Sequence, residues 1–141
     1  MKPEFNRLWD AYPPENHPCD GNWANQCAIR LSIALNDEGA LEINSRTYQE
    51  PRCAHGHARG AESLANYLWK RLGRPKIYTD SAAAKRVLLG KKGIIFFKDC
   101  FTRDGETVKR GDHIDVWKLG MAKTYSDPGN QSTQVWFWDL S

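Results

Sequence analysis

Nowhere in this 141-residue chain is there anything close to the roughly 18 consecutive apolar residues that a membrane-crossing helix needs, so no span and no membrane partner is expected. The N-terminal stretch Met1-Lys-Pro-Glu-Phe-Asn-Arg-Leu-Trp-Asp10 lacks the continuous apolar core of a secretory signal, and synthesis as a soluble cytoplasmic protein is expected. Basic runs never exceed a pair such as Lys91-Lys92, and net charge is only +3, so nucleic-acid binding is not indicated. The four cysteines, Cys19, Cys27, Cys53 and Cys100, include no Cys-x-x-Cys, which argues against both a disulfide framework and a zinc ribbon. A single disulfide among Cys19, Cys53 and Cys100 stays open for a chain that works outside the cytosol. Low-complexity stretches are also missing. With 40% hydrophobic residues the chain can build a real core, and one domain over residues 1–141 is expected.

What is present is organised around Cys27. From Cys27 to Leu35, seven of nine residues are apolar or small (Cys27, Ala28, Ile29, Leu31, Ile33, Ala34, Leu35), the composition of a helix buried nearly all round. Asn22 and Asn25 are candidate caps before it, and Gly39 follows its end. A cysteine in the first turn faces unpaired backbone N–H groups and the positive end of the helix dipole, which favour thiolate over thiol. The competing reading is a cysteine that simply fills core, as cysteines often do.

Around this helix the chain alternates packing elements and strands. Phe5, Leu8, Trp9 and Tyr12 mark one face of a short helix that Pro13-Pro14 ends. Residues 15–24 form a polar loop, and residues 40–59 show no clear period. Within the latter, Cys53, His55 and His57 combine zinc-ligand chemistries, but no second ligand group stands at a familiar spacing, and no metal or cofactor is expected. Leu64, Ala65, Leu68, Trp69 and Leu72 define an amphipathic helix over 61–73 with Gly73 as its stop. A short strand over 76–79 follows, then a helix over 82–89 capped by Asp80 or Ser81. Gly93-Ile-Ile-Phe-Phe-Lys98 reads as a central strand covered on both faces. A polar loop over 102–107 leads into a strand over 112–118, then a turn at Leu119-Gly120, a strand over 121–125 and a loop over 126–130. Gln134-Val-Trp-Phe-Trp-Asp139 closes the sheet.

In the strand over 112–118, alternation places His113, Asp115 and Trp117 on one face and Ile114 and Val116 on the other. Thiol hydrolysis requires a thiolate, an imidazole to hold and deliver the proton, and a polar group to orient that imidazole. Cys27 and His113 supply the first two. His17, His55 and His57 fall in loops and turns instead.

The segments Asn25-Gln-Cys-Ala-Ile-Arg-Leu-Ser32, Gly90-Lys-Lys-Gly-Ile-Ile95, Gly111-Asp-His-Ile-Asp-Val-Trp117 and the Val-Trp-Phe-Trp ending resemble the type VI secretion amidase effectors of the fourth family. The resemblance spans nearly the whole chain. It implies an α+β, papain-like fold of the NlpC/P60 type, with a central antiparallel sheet packed against helices and the nucleophile at the start of a buried helix. It also implies a bacterial toxin exported by the type VI apparatus into a target cell's periplasm. There it would cut peptidoglycan stem peptides at the γ-D-glutamyl–meso-diaminopimelate bond, with a cognate immunity protein guarding the producer. Cys27 matches the family nucleophile and His113 the base. The family places an aspartate shortly after the histidine strand, which suggests Asp127, although the connection here is longer. Asp115, about two strand residues or roughly 6.5 Å along the histidine's own strand, is the rival and is preferred. It reaches the imidazole only if the two side chains bend towards each other. Trp23 and Trp117 are candidate walls of the substrate groove. Two other readings stay in view: a papain-like deamidase or protease acting on a protein, and a binding module in which Cys27 is core.

Overall fold

A computed structural model describes residues 2–13, 27–49, 58, 60–102, 109–123 and 132–141, with the side chains of 100–102 and 109–111 left aside. Four helices and five strands are found among them: α1 (Phe5–Ala11), α2 (Cys27–Glu38), α3 (Ala61–Leu72), β1 (Lys76–Tyr78), α4 (Ser81–Val87), β2 (Lys92–Thr102), β3 (Lys109–Lys118), β4 (Met121–Ala122) and β5 (Gln134–Asp139). The strands form one sheet in the order β1-β5-β2-β3-β4 with every pair antiparallel. This is the α+β arrangement, a central antiparallel sheet with helices packed on it, that the resemblance implies.

Local chemistry accounts for most element ends. Glu4 caps α1, its carboxylate accepting from the Arg7 N–H at 2.7 Å, and Pro13 cannot continue the helix. Gly39 and Gly73, at φ 96° and 94°, supply the left-handed residue after α2 and after α3. Asp80 caps α4 by accepting from the Ala83 N–H at 3.2 Å. That cap starts the helix at Ser81, one residue earlier than its apolar pattern suggests. It also stops sooner, at Val87, because the Leu88 carbonyl turns away to accept from Lys91 N at 3.0 Å and Trp117 Nε1 at 2.9 Å.

Apolar content decides strand position. β2 is central, and its Ile94, Ile95, Phe96 and Phe97 are all fully buried, so both of its faces are covered as the continuous run requires. On one face Ile94 and Phe96 join Ile114, Val116, Trp136 and Trp138 beneath α1, α2 and α3. On the other, Ile95 and Phe97 join Trp117, Val135 and Phe137 beneath α4. Gly93 is required at its place: a Cβ there would lie 2.0 Å from the Trp138 carbonyl oxygen of β5. Both β2 and β3 extend further than their apolar cores suggest, to Thr102 and back to Lys109. Beyond Phe97 the pairing shifts register through a bulge at which Asp99 takes φ 54°. The Asp112 carboxylate accepts from the Asp99 N–H at 2.8 Å and fixes that bulge next to His113.

Candidate active site

The large core carries the Cys27 helix. Ala28, Leu31, Ala34 and Leu35 are buried in it, and Ser32 donates to the Ala28 carbonyl at 2.8 Å while accepting from the Ala58 N–H at 3.0 Å. Asn36 grips both backbone groups of Ile43, at 2.7 Å and 3.2 Å, and Glu38 accepts from the Glu4 N–H at 3.0 Å. These bonds fix α2 against α1 and the following chain, so the position of Cys27 is set by a packed and hydrogen-bonded helix. Cys27 is a thiol outside any disulfide, and it is 3% exposed.

β3 brings the imidazole to it. His113 pairs with Phe97 across the β2–β3 ladder, and the two rings stack with centroids 6.4 Å apart and planes 17° apart. The imidazole hydrogen-bonds with the Cys27 thiol and, through Nε2, with Asp115 Oδ2 at 2.8 Å. Sequential alternation alone would hold the His113 and Asp115 side chains roughly 6.5 Å apart. Asp115 closes that gap by folding its carboxylate onto the outer edge of β3.

The edge geometry shows why it can. β4 covers β3 only at Trp117 and Lys118, so the backbone of Val116 lies at the ladder's end. Its carbonyl accepts from Lys123 N at 3.1 Å, while its N–H goes to Asp115 Oδ1 at 2.7 Å. Lys123 N also donates to Asp115 Oδ1, at 3.2 Å. The carboxylate thus takes the Val116 and Lys123 N–H groups with one oxygen and orients His113 with the other. The side chain of Lys123 is itself anchored, donating to the Trp9 carbonyl with its ammonium 5.1 Å from that indole ring.

Electrostatics follow from burial. His113 is 5% exposed and Asp115 is fully buried. Burial, the largest single influence, pulls the His113 imidazole down. The hydrogen bonds to Asp115 and Cys27 and the charges of both outweigh it and push the pKa up to about 9. The imidazolium is therefore the prevailing form at neutral pH.

The other expected site residues fare differently. Trp117 is 2% exposed, in the α4-side core, and its indole N–H is spent on the Leu88 carbonyl. It packs the sheet and does not wall an open groove, because strand alternation turns it onto a face that α4 covers. Trp23, Asp127, Cys19, Cys53, His17, His55 and His57 lie outside the described residues. Among the described residues no group of three His, Cys, Asp or Glu side chains is placed to hold a metal. Sequence reasoning missed Phe97, Val116 and Lys123 as supports of the pair. Phe97 was within reach as part of the apolar run, but the register that sets it opposite His113 was not.

The family model of type VI secretion system amidase effector protein 4 (Tae4) matches residues 23–138. The chain belongs to the Tae4 family. It is accordingly a type VI secretion amidase effector by family. The fold agrees. The structure of Tae4 from Salmonella typhimurium, solved in complex with the immunity protein Tai4 from Enterobacter cloacae, is 23% identical, with a TM-score of 0.74 over 99% of this chain and 100% of that one. Tae4 from Enterobacter cloacae is 20% identical, with a TM-score of 0.75 over 100% and 98%. The Tae4–Tai4 complex from Enterobacter cloacae gives 21% identity and a TM-score of 0.72 over the whole of both chains. No curated protein matches the sequence.

Proposed function

We propose that this Tae4-family effector is a cysteine amidase that hydrolyses peptidoglycan stem peptides at the γ-D-glutamyl–meso-diaminopimelate bond. The observation that carries the mechanism is the hydrogen-bonded series Cys27, His113, Asp115. Cys27 sulfur attacks the γ-carbonyl carbon of D-glutamate, and the C–N bond breaks as the His113 imidazolium passes its proton to the leaving amine of diaminopimelate. His113, now neutral, takes a proton from water, whose oxygen attacks the thioester and releases the carboxyl product. The thiolate and imidazolium are restored. Asp115 keeps the imidazole in the tautomer and orientation that both transfers need. Backbone N–H groups at the start of α2 are the donors for the tetrahedral oxyanion, each worth roughly 3 kcal/mol of transition-state stabilisation.

The workplace in this reading is the periplasm of the target bacterium, reached through the type VI apparatus, and the guard in the producer is an immunity protein of the Tai4 kind. The relatives solved with Tai4 support that partner. Mass spectrometry of diaminopimelate-type peptidoglycan incubated with the wild type and with Cys27→Ala tests the reaction. New fragments ending at D-glutamate are expected from the wild type alone. Fragments from neither protein, with the wild type folded and its thiol reduced, would move the search to protein substrates.

A further inference from the structure

The β2–β3 ladder runs without interruption from Lys92 opposite Lys118 to Phe97 opposite His113, and its next pair is Phe101 with Gly111. Lys98, Asp99 and Cys100 therefore stand against Asp112 alone. The break falls directly after the pair in which the Phe97 ring stacks on the His113 imidazole. Bulges bend their strand and re-aim the side chains beside them, which is why they recur next to reacting groups.

Two side chains hold this bulge in shape. Asp99, at φ 54°, occupies the left-handed region, which is uncommon for any residue but glycine. Its N–H donates to the Asp112 carboxylate at 2.8 Å, and its own carboxylate accepts from the Thr133 hydroxyl at 3.1 Å. Thr133 also donates its N–H to the Lys98 carbonyl at 2.9 Å, just past the β2–β5 pair of Lys98 with Gln134. The left-handed residue is thus tied from the strand on either side of β2. Asp112 is 6% exposed, and strand alternation turns its side chain to the face opposite His113. A strained residue held this firmly beside a reacting group points to a function for the strain.

We propose that Asp112 is a positioning residue for His113: by holding the Asp99 N–H it fixes the bulge that ends the ladder at Phe97 and His113, and so keeps the imidazole aimed at Cys27. This deepens the reading of Cys27, His113 and Asp115 as the reacting series and rests on it. Asp112 acts through the main chain it shares with His113 and does not touch the reacting atoms. Asp115 orients the ring from one side along β3, and Asp112 anchors the strand on the other. Without the Asp112 bond the pairing loosens from the bulge inward, and the stacked ring turns with its strand. A proton donor displaced by about 1 Å slows the chemical step and leaves substrate binding intact.

The test is steady-state hydrolysis of a soluble stem peptide carrying the γ-D-glutamyl–meso-diaminopimelate bond by the full chain, with the proton–nitrogen NMR signals of the His113 ring recorded alongside. Asp112→Ala should lower kcat about tenfold and leave KM within about twofold. Asp112→Asn keeps an oxygen that accepts from the Asp99 N–H while dropping the charge, so its kcat should stay within about threefold of the wild type. Thr133→Val removes the other tie at an exposed position, and should lower kcat about threefold. The His113 ring signals should shift or broaden in Asp112→Ala and Thr133→Val and stay in place in Asp112→Asn. Asp80→Ala, which deletes the α4 cap, should move neither readout. Equal loss of kcat in Asp112→Ala and Asp112→Asn overturns the proposal, because the charge and not the bond to the bulge would then matter. Ring signals unmoved in both Asp112→Ala and Thr133→Val overturn it as well. If the wild type leaves the peptide intact, the peptidoglycan reading falls, and the ring signals alone decide the role of Asp112.

Discussion

The two faces of the sheet are built on different scales. Among the described residues, one packs α1, α2 and α3 over Ile94, Phe96, Ile114 and Val116, whereas the other has α4 alone over Ile95, Phe97, Trp117 and Phe137. The thiol belongs to the thick side. Its imidazole stacks on Phe97 of the thin side and interacts with the sulfur of the thick side. Cys27 is thus held by a deep core and His113 by a ladder.

The sharpest break of that comparison is chemical. Cys27→Ala removes the nucleophile and should lower turnover by about 10⁴-fold or more in a peptidoglycan-release assay, with little change in melting temperature. Core truncations then compare the faces in energy. Leu35→Ala, beneath the three helices, should cost about 4 kcal/mol in urea unfolding, and Leu88→Ala, beneath α4 alone, about 2 kcal/mol, because a thin layer relaxes into the space. Equal costs would show that the faces are held equally tightly.

Next comes the edge itself. Asp115→Asn should lower turnover about 100-fold and bring the His113 pKa down from about 9, since burial then meets less opposition. The same residue governs stability against pH. Because the folded imidazole titrates above its unfolded value of 6.5, its contribution is complete below about pH 6.5 and is lost as pH rises through about 9. The wild-type melting temperature should fall over that interval, and the fall should flatten in Asp115→Asn. A melting curve with no pH dependence there would remove the coupled pair. The smallest effect expected is on the thin side: Asp80→Ala deletes the α4 cap and should cost about 1 kcal/mol without altering turnover.

Periodicity carried far in this chain. The apolar run of residues 94–97 is the central strand, the stripe from Leu64 to Leu72 is α3, and the glycines after α2 and α3 are where left-handed residues are needed. Element ends that depend on a particular hydrogen bond were less legible. α4 begins and ends early because Asp80 and the Leu88 carbonyl each have a partner, one of them on a strand 29 residues away. Trp117 shows the same limit from the other side, since alternation gives its face correctly but not the helix that covers that face.

The sequence by itself determined the elements and their buried faces, because helix and strand periods are local and burial follows from them. It also determined that a cysteine at a buried helix and a histidine on a strand were available to each other. Tertiary structure decided which acid the described residues bring to the imidazole. Asp115 bonds His113 with one oxygen while the other takes the Val116 N–H, just past the last β3–β4 pair among the described residues. Such a choice depends on where a neighbouring strand stops, and no spacing within β3 contains that.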